Sequence, residues 1–400
     1  PAGSSAPCLS APPLPHGAAA VCRHDLGAYP DMTPTARPRQ IRPLVETFVL
    51  AGVGGLLFDS ARFPAGWMAG AMVFATIAAL AGRPIHVPPL LARIFFVALG
   101  VAIGGVATPE TLHGMVRWPA SIAMLAVAML AITGAGTGYL ALVHRWDAQT
   151  ALFASVPGAL SQVAVLAAER DADLRAIMIV QTLRLTALAV GVPAAFALLG
   201  LSGPTRLPAE GPGMLAAPEQ ALALFGGSVV AALLLARAGF AGGYFFGPMA
   251  VSAALHGGGF IQIQLPAPFA AAAMAGLGAV IGSRFNGTSF RTLLDYLAAS
   301  IGSLLVSLAA AGLFVMAAAF LLSLRVLDLV ASYAPGSVDA MMILALALHL
   351  DPVFVGAHHL ARIVLVTLAL PIGVRLTARA PPAPHDLPAP LHAAREALED

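Results

Sequence analysis

Three stretches of this sequence, Ile122–Val143, Phe240–Ala275 and Leu297–Leu324, contain no Asp, Glu, Lys or Arg. At about 1.5 Å of rise per residue, each can cross a hydrocarbon core of roughly 30 Å as a helix. The chain therefore reads as an all-α polytopic membrane protein. Composition agrees: 59% of the 400 residues are hydrophobic and 10% are charged, against roughly a quarter charged in soluble domains. The mean hydropathy of +0.86 excludes an ordinary cytosolic enzyme.

Cys8 and Cys22 both precede the first apolar segment. Two cysteines supply neither a disulfide framework nor a four-ligand zinc site. All 21 basic residues are Arg, and with the high Ala, Gly and Pro content this suggests a GC-rich bacterial genome. A formal charge of +2 does not point to a nucleic-acid partner. Residues 1–40 read as a disordered leader, with Met32 as the expected translation start, and 379–400 as a disordered tail.

Between these ends the sequence repeats itself. Ala65–Met72 (AGWMAGAM) matches Gly242–Met249 (GGYFFGPM) at an offset of 177, which then becomes 178. Leu99 and Gly100 match Leu277 and Gly278, and Gly104 matches Gly282. Val156-Pro157-Gly158 matches Ala334-Pro335-Gly336, Asp173 matches Asp351, Arg184 matches Arg362, and Pro193 matches Pro371. These are Gly, Pro, Arg and Asp rather than interchangeable Leu and Ala, so apolar composition alone does not explain them. The expected organisation is a first membrane repeat over 41–200, a linker over 201–217 and a second repeat over 218–378.

Each repeat is expected to hold five spanning helices and one broken or re-entrant helix. The spans are placed near 43–59, 64–82, 88–107, 118–143 and 175–199, then 219–236, 240–258, 266–284, 295–323 and 352–376. The interrupted pieces fall at 148–168 and 326–348, cut by Pro157-Gly158 and Pro335-Gly336. If both pieces turn back, the second repeat is inverted. Thirteen arginines then face the cytoplasm with the N-terminus, against Arg62, Arg117, Arg206 and Arg325 outside. If both cross, the repeats are parallel and the same count becomes ten to seven. The positive-inside rule favours inversion, and inverted repeats with broken helices are an architecture of secondary transporters.

The half-helix after each break starts with free N–H groups and the positive end of its dipole, which suits an anion. Near it stand Ser161 and Gln162 in the first repeat and Ser337 and Asp339 in the second. Pro-Gly could equally kink a packed helix without making a site. Arg184 and Arg362 lie deep in the last span of each repeat, where two such charges cost roughly 5–7 kcal/mol if uncompensated. As planar forks of donors they could hold an anionic solute. They could instead bond carbonyls freed at the breaks, or Arg362 could pair with Asp339. Gln181 and His359 are candidates for selectivity. One of His358 and His359, with Asp339 or Asp351, could relay protons, or both could hydrogen-bond at the membrane boundary. No catalytic group, metal site or cofactor is expected. Trp67, Trp118, Trp146 and Tyr244 read as interfacial anchors, and Gly100–Gly105 and Gly276–Gly282 as close helix contacts.

Pro64–Met72, Ser155–Gln162, Gln181–Arg184, Gly247–Met249, Ala334–Asp339 and His358–Arg362 together resemble the duplicated AbrB-type integral membrane protein family of bacteria. That family has also been labelled an ammonia monooxygenase or a transition-state regulator. The resemblance covers most of 44–376. The family pattern has a second Gly after each Pro-Gly, where this chain has Ala159 and Ser337. A monooxygenase needs metal ligands or a cofactor motif, and a transcription factor needs a soluble DNA-reading module; the sequence offers neither. The expectation is an inner-membrane, transporter-like protein that binds a small anionic organic solute, with or without a coupling ion. Its alternative is a membrane-embedded regulator acting through a partner. The lipid bilayer is the expected surrounding, no nucleic acid is expected, and a homo-oligomer is left open.

Overall fold

The structure is a computed structural model describing residues 41–107, 118–158, 163, 166–167, 170, 172–200, 217–240, 242–348 and 350–377. The expected leader and tail, and the linker up to 216, lie outside the described residues. The described residues from Arg42 to Thr377 belong to one compact unit.

Among the described residues all regular structure is helical. The α-helices are α1 (Ile41–Ser60), α2 (Gly66–Leu80), α3 (Pro89–Gly104), α4 (Trp118–Val143), α5 (Ala148–Ser155) and α6 (Leu174–Leu198). They continue with α7 (Pro218–Arg237), α8 (Gly243–Gly257), α9 (Ala267–Gly282), α10 (Phe290–Leu322), α11 (Val326–Tyr333), α12 (Val338–Ala347) and α13 (Pro352–Thr377). Seven are long and apolar enough to cross a membrane: α1, α4, α6, α7, α10, α13, and α9 with the 3-10 turn that follows it.

Three of the ten expected spans are shorter than a bilayer core. α2, α3 and α8 have 15, 16 and 15 residues, or about 22–24 Å of helix. Backbone geometry sets their starts: Ala65 and Gly242 adopt left-handed conformations, and Pro88-Pro89 opens α3. Nine residues of α2 and nine of α8 are buried. A helix covered by protein need not match the bilayer's thickness.

These short helices pair in a crossed arrangement. A Cβ on Gly100 of α3 would lie 2.4 Å from the Phe245 carbonyl oxygen of α8, and one on Gly104 would lie 2.4 Å from that of Met249. On the other side, a Cβ on Gly278 of α9 would lie 2.4 Å from the Met68 carbonyl oxygen of α2, and Gly282 abuts Ala75 and Thr76. Contact residues rise together along both partners, so α3 runs parallel to α8 and α2 runs parallel to α9. The end of α9 meets the approach to α3, where the Asn286 amide donates to the Ile85 carbonyl at 2.6 Å and accepts from its N–H at 3.3 Å. The expected glycine contacts are therefore present, as backbone-to-backbone approaches that any side chain would prevent.

α1 and α7 flank this centre as antiparallel partners of α2 and α8, through Gly54 against Gly70 and Gly247 against Ala231. Their outer faces carry Val45, Val49, Val53 and Leu57, and Leu222, Val229, Leu233 and Leu234, all exposed. In water such faces would aggregate; in a bilayer they face a matching solvent. Glu46 pairs with Arg83 at the boundary. Trp118, expected as an interfacial anchor, is instead 6% exposed and stands edge-on to Phe354 with ring centres 5.8 Å apart.

Candidate functional site at the paired helix breaks

α4 and α10 pack together, and each leads into a short arm that ends at a Pro-Gly break: α5 after α4, and α11 after α10. α5 and α11 each have 8 residues, about 12 Å of helix, which places their ends well inside a core of roughly 30 Å.

Proline accounts for the local geometry. The residue before proline is driven out of the helical region, and Val156 (φ −61°, ψ 123°) and Ala334 (φ −54°, ψ 132°) are both extended. Proline also lacks an N–H, so the carbonyl four residues earlier loses its helical donor. Those carbonyls belong to Phe153 and Ala331. Gln181 Nε2 donates to Phe153 at 2.6 Å, and His359 Nε2 lies 3.1 Å from the Ala331 carbonyl. Gln181 and His359 are 178 apart, as are the two carbonyls. A carbonyl only accepts, so His359 is protonated on Nε2.

The end of each arm and the break beyond it leave further carbonyls open, and the two arginines bond to them. Arg184 Nη1 donates to Ala154 at 3.3 Å and Ser155 at 3.0 Å, and its Nη2 donates to Val156 at 3.0 Å. Arg362 Nη1 donates to Ala334 at 2.7 Å, and its Nη2 donates to Gly336 at 2.9 Å. Both side chains are buried. Of the two readings open in the sequence, the carbonyl-capping one describes these bonds. Among the described residues it leaves Arg184 Nε and Arg362 Nε buried without a hydrogen-bond partner, along with His359 Nδ1.

The start of each last helix is tied to its arm as well. Thr150 Oγ1 accepts from the Asp173 N–H at 3.0 Å, and Asp328 Oδ1 accepts from the Asp351 N–H at 3.0 Å. Asp173 and Asp351 then cap α6 and α13, through Ala176 in one and Val353 and Phe354 in the other. Sequence comparison passed over Thr150 and Asp328 because their residue types differ, although they too are 178 apart.

The two breaks come close to one another. Gly158 has φ +88°, a conformation that favours glycine. A Cβ placed on it would lie 3.6 Å from Arg362 Nε, and one on Gly336 would lie 3.5 Å from Leu188 of α6. Ser337 caps α12 by accepting from the Ala340 N–H at 3.2 Å. Ser161 and Gln162 lie outside the described residues, as does the side chain of Asp339.

One polar cluster has no counterpart in the other repeat. His358 Nδ1 lies 2.8 Å from the Phe354 carbonyl and is the protonated nitrogen, while Nε2 meets Ser121 Oγ at 2.7 Å. The Tyr333 hydroxyl donates to the Ser121 carbonyl at 2.6 Å. His358 is therefore a buried tie between α13 and α4. Among the described residues no group of His, Cys, Asp and Glu is placed to hold a metal.

The apolar helices and buried breaks define an all-helical, multi-pass membrane protein. The profile of the family described as "Transition state regulatory protein AbrB" matches residues 67–378, and the chain belongs to the AbrB family. A protein of Escherichia coli (strain K12) named "Putative regulator AbrB" is 32% identical over 166 residues, which is 41% of this chain and 47% of that relative. The match thus spans about half the length of the relative. No solved structure matches the chain.

Proposed function

We propose that the chain is a transporter-like protein of the bacterial inner membrane, built from inverted repeats, that takes a small anionic organic solute where its two breaks meet. The observation that carries this reading is the unsatisfied charge there. Two buried guanidiniums each keep an unused Nε–H, and the one from the second repeat lies beside the break of the first. Two buried cations need a compensating anion. Pro157, Gly158, Pro335 and Gly336 form the two breaks, and Arg184 and Arg362 supply charge. Ser337, Gln181 and His359 hold the surrounding backbone, and Ser161, Gln162 and Asp339 are proposed as further contacts of the solute.

Inversion is supported by the crossed pairing. α8 runs parallel to α3, α9 runs parallel to α2, and the end of α9 meets the start of α3, so the second helices of the two repeats point in opposite directions. Single cysteines at Ser60 and Ala238, which are both exposed and stand at the C-terminal end of the first helix of each repeat, should label from opposite sides of the membrane once Cys8 and Cys22 are replaced. Labelling from one side would make the repeats parallel.

The site itself is tested with purified protein in nanodiscs against a panel of carboxylates and phosphate esters. At least one anion should raise the melting temperature and cross proteoliposomes containing the protein. Gly158→Ala places a methyl group against Arg362 Nε, at a conformational cost of about 1–2 kcal/mol. That variant should fold and lose the anion-dependent shift. An unaltered shift in Gly158→Ala, or none in the wild type, removes the site. The family and relative names favour a regulator instead; a stably captured partner with no flux of any solute would select that reading.

A further inference from the structure

Away from the breaks, a hollow lies on the bilayer-facing side, between α3, α7, α8 and α9. Its volume is about 500 Å³. Its floor is made of small residues, among them Ala98, Ala232 and Ala273, whose side chains leave the gap between the helices unfilled. Its walls include Ile94, Val229 and Phe269, which are exposed. The lining is apolar throughout except at one end, where Arg93 and Tyr244 stand. The Arg93 guanidinium lies 5.1 Å from the centre of the Tyr244 ring. Among the described residues it has neither a hydrogen bond nor an ion pair.

Arg93 is in the first turns of α3, and Tyr244 is at the start of α8, so this end of the groove is at a membrane boundary. The exposed Arg237 closes α7 on the same side. From there the groove runs inward past Val97 and Val229 toward Leu265 and Phe269. The feature is not part of the duplicated scaffold, since the position matching Arg93 is Ala271. We infer that this groove is a binding site for an anionic glycerophospholipid, with an acyl chain along α3 and α7 and the phosphate on Arg93. The charge distribution selects this occupant: one cation in the lining, at the headgroup level, and no polar group along the rest of the path. Tyr244 limits the freedom of the guanidinium through its ring face, so the fork is held at the rim before lipid arrives. The inference is independent of what binds at the breaks.

Native mass spectrometry of the full chain in detergent, titrated with phosphatidylglycerol or phosphatidylcholine of identical chains, reads this directly. Phosphatidylglycerol should be favoured by about fivefold, the worth of one interfacial arginine. Arg93→Gln should abolish the preference while leaving phosphatidylcholine binding unchanged. Ala272→Phe, at an exposed position in the groove, should weaken both lipids while the melting temperature stays that of the wild type. Equal binding of the two lipids by the wild type, or a preference that survives Arg93→Gln, overturns the proposal. A dimer that Ala272→Phe dissociates also overturns it and assigns the groove to a second copy of the chain.

Discussion

Arg184→Gln is expected to lower the unfolding free energy by about 2–5 kcal/mol and Arg362→Gln by up to about 3 kcal/mol. The estimate balances two terms. Each bond from a charged donor contributes about 1.5–3 kcal/mol, and Arg184 makes three to carbonyls while Arg362 makes two. Removing a charge from the membrane interior returns about 2.5–3.5 kcal/mol. Glutamine is too short to reach the last turn of either arm from the same position. Lysine keeps the charge but presents a point rather than a fork, so the Lys variants should fall between wild type and Gln. Unfolding in mixed micelles would check the order. If the Gln variants unfold like the wild type, the arms are held by something other than the arginines. If Lys restores stability fully, charge rather than the fork matters.

The second large effect belongs to the central helix pairs. Gly100→Ala and Gly278→Ala are each expected to prevent recovery of folded protein, because the added Cβ would sit 2.4 Å from a backbone carbonyl oxygen of the partner helix. A carbonyl on a packed helix cannot swing aside as a side chain can, so the helices must separate and the contacts on both sides are lost. Gly134→Ala on α4 and Gly312→Ala on α10 are the controls, since nothing lies within 4 Å of a Cβ at either position. In those exposed helix interiors alanine should be neutral or stabilising by up to about 1 kcal/mol. Size-exclusion profiles of the four variants separate the outcomes. Monodisperse Gly100→Ala and Gly278→Ala would mean that the helices are looser than their backbones indicate.

The breaks and the two arginines were legible in the sequence because Pro, Gly and Arg are conspicuous in an apolar chain and recur at one offset. What the arginines touch was not legible. The same spacing suits a fork aimed at a solute and a fork aimed at Val156 or Ala334, and only the packing of α6 against α5 and of α13 against α11 distinguishes them. Gln181 and His359 share a place in the repeat and a task, yet they look unrelated as letters. Their task follows from what Pro157 and Pro335 remove, an N–H four residues along, rather than from any likeness between them. Helix ends were misjudged at α2, α3 and α8 because hydropathy runs on through the residues that stop them. The crossed pairing of these helices joins positions 145–210 apart in sequence, beyond the reach of any periodicity.

That crossed pairing sets an order of events during synthesis. α3 emerges with its glycine face, and α2 with the face that will take the glycines of α9, prepared for helices that have not yet been made, and their lengths of 15 and 16 residues fit a bilayer poorly. A chain stopped after residue 200 would therefore hold α2 beside α1 but without α9, and α3 without α8. Until α8 and α9 arrive, the first repeat needs lipid, the insertion machinery or another copy's second repeat to cover it. Covalent joining of the two repeats makes the correct partner the nearest one, and it makes each nascent chain vulnerable to exchange with its neighbours for as long as its own second half is still on the ribosome.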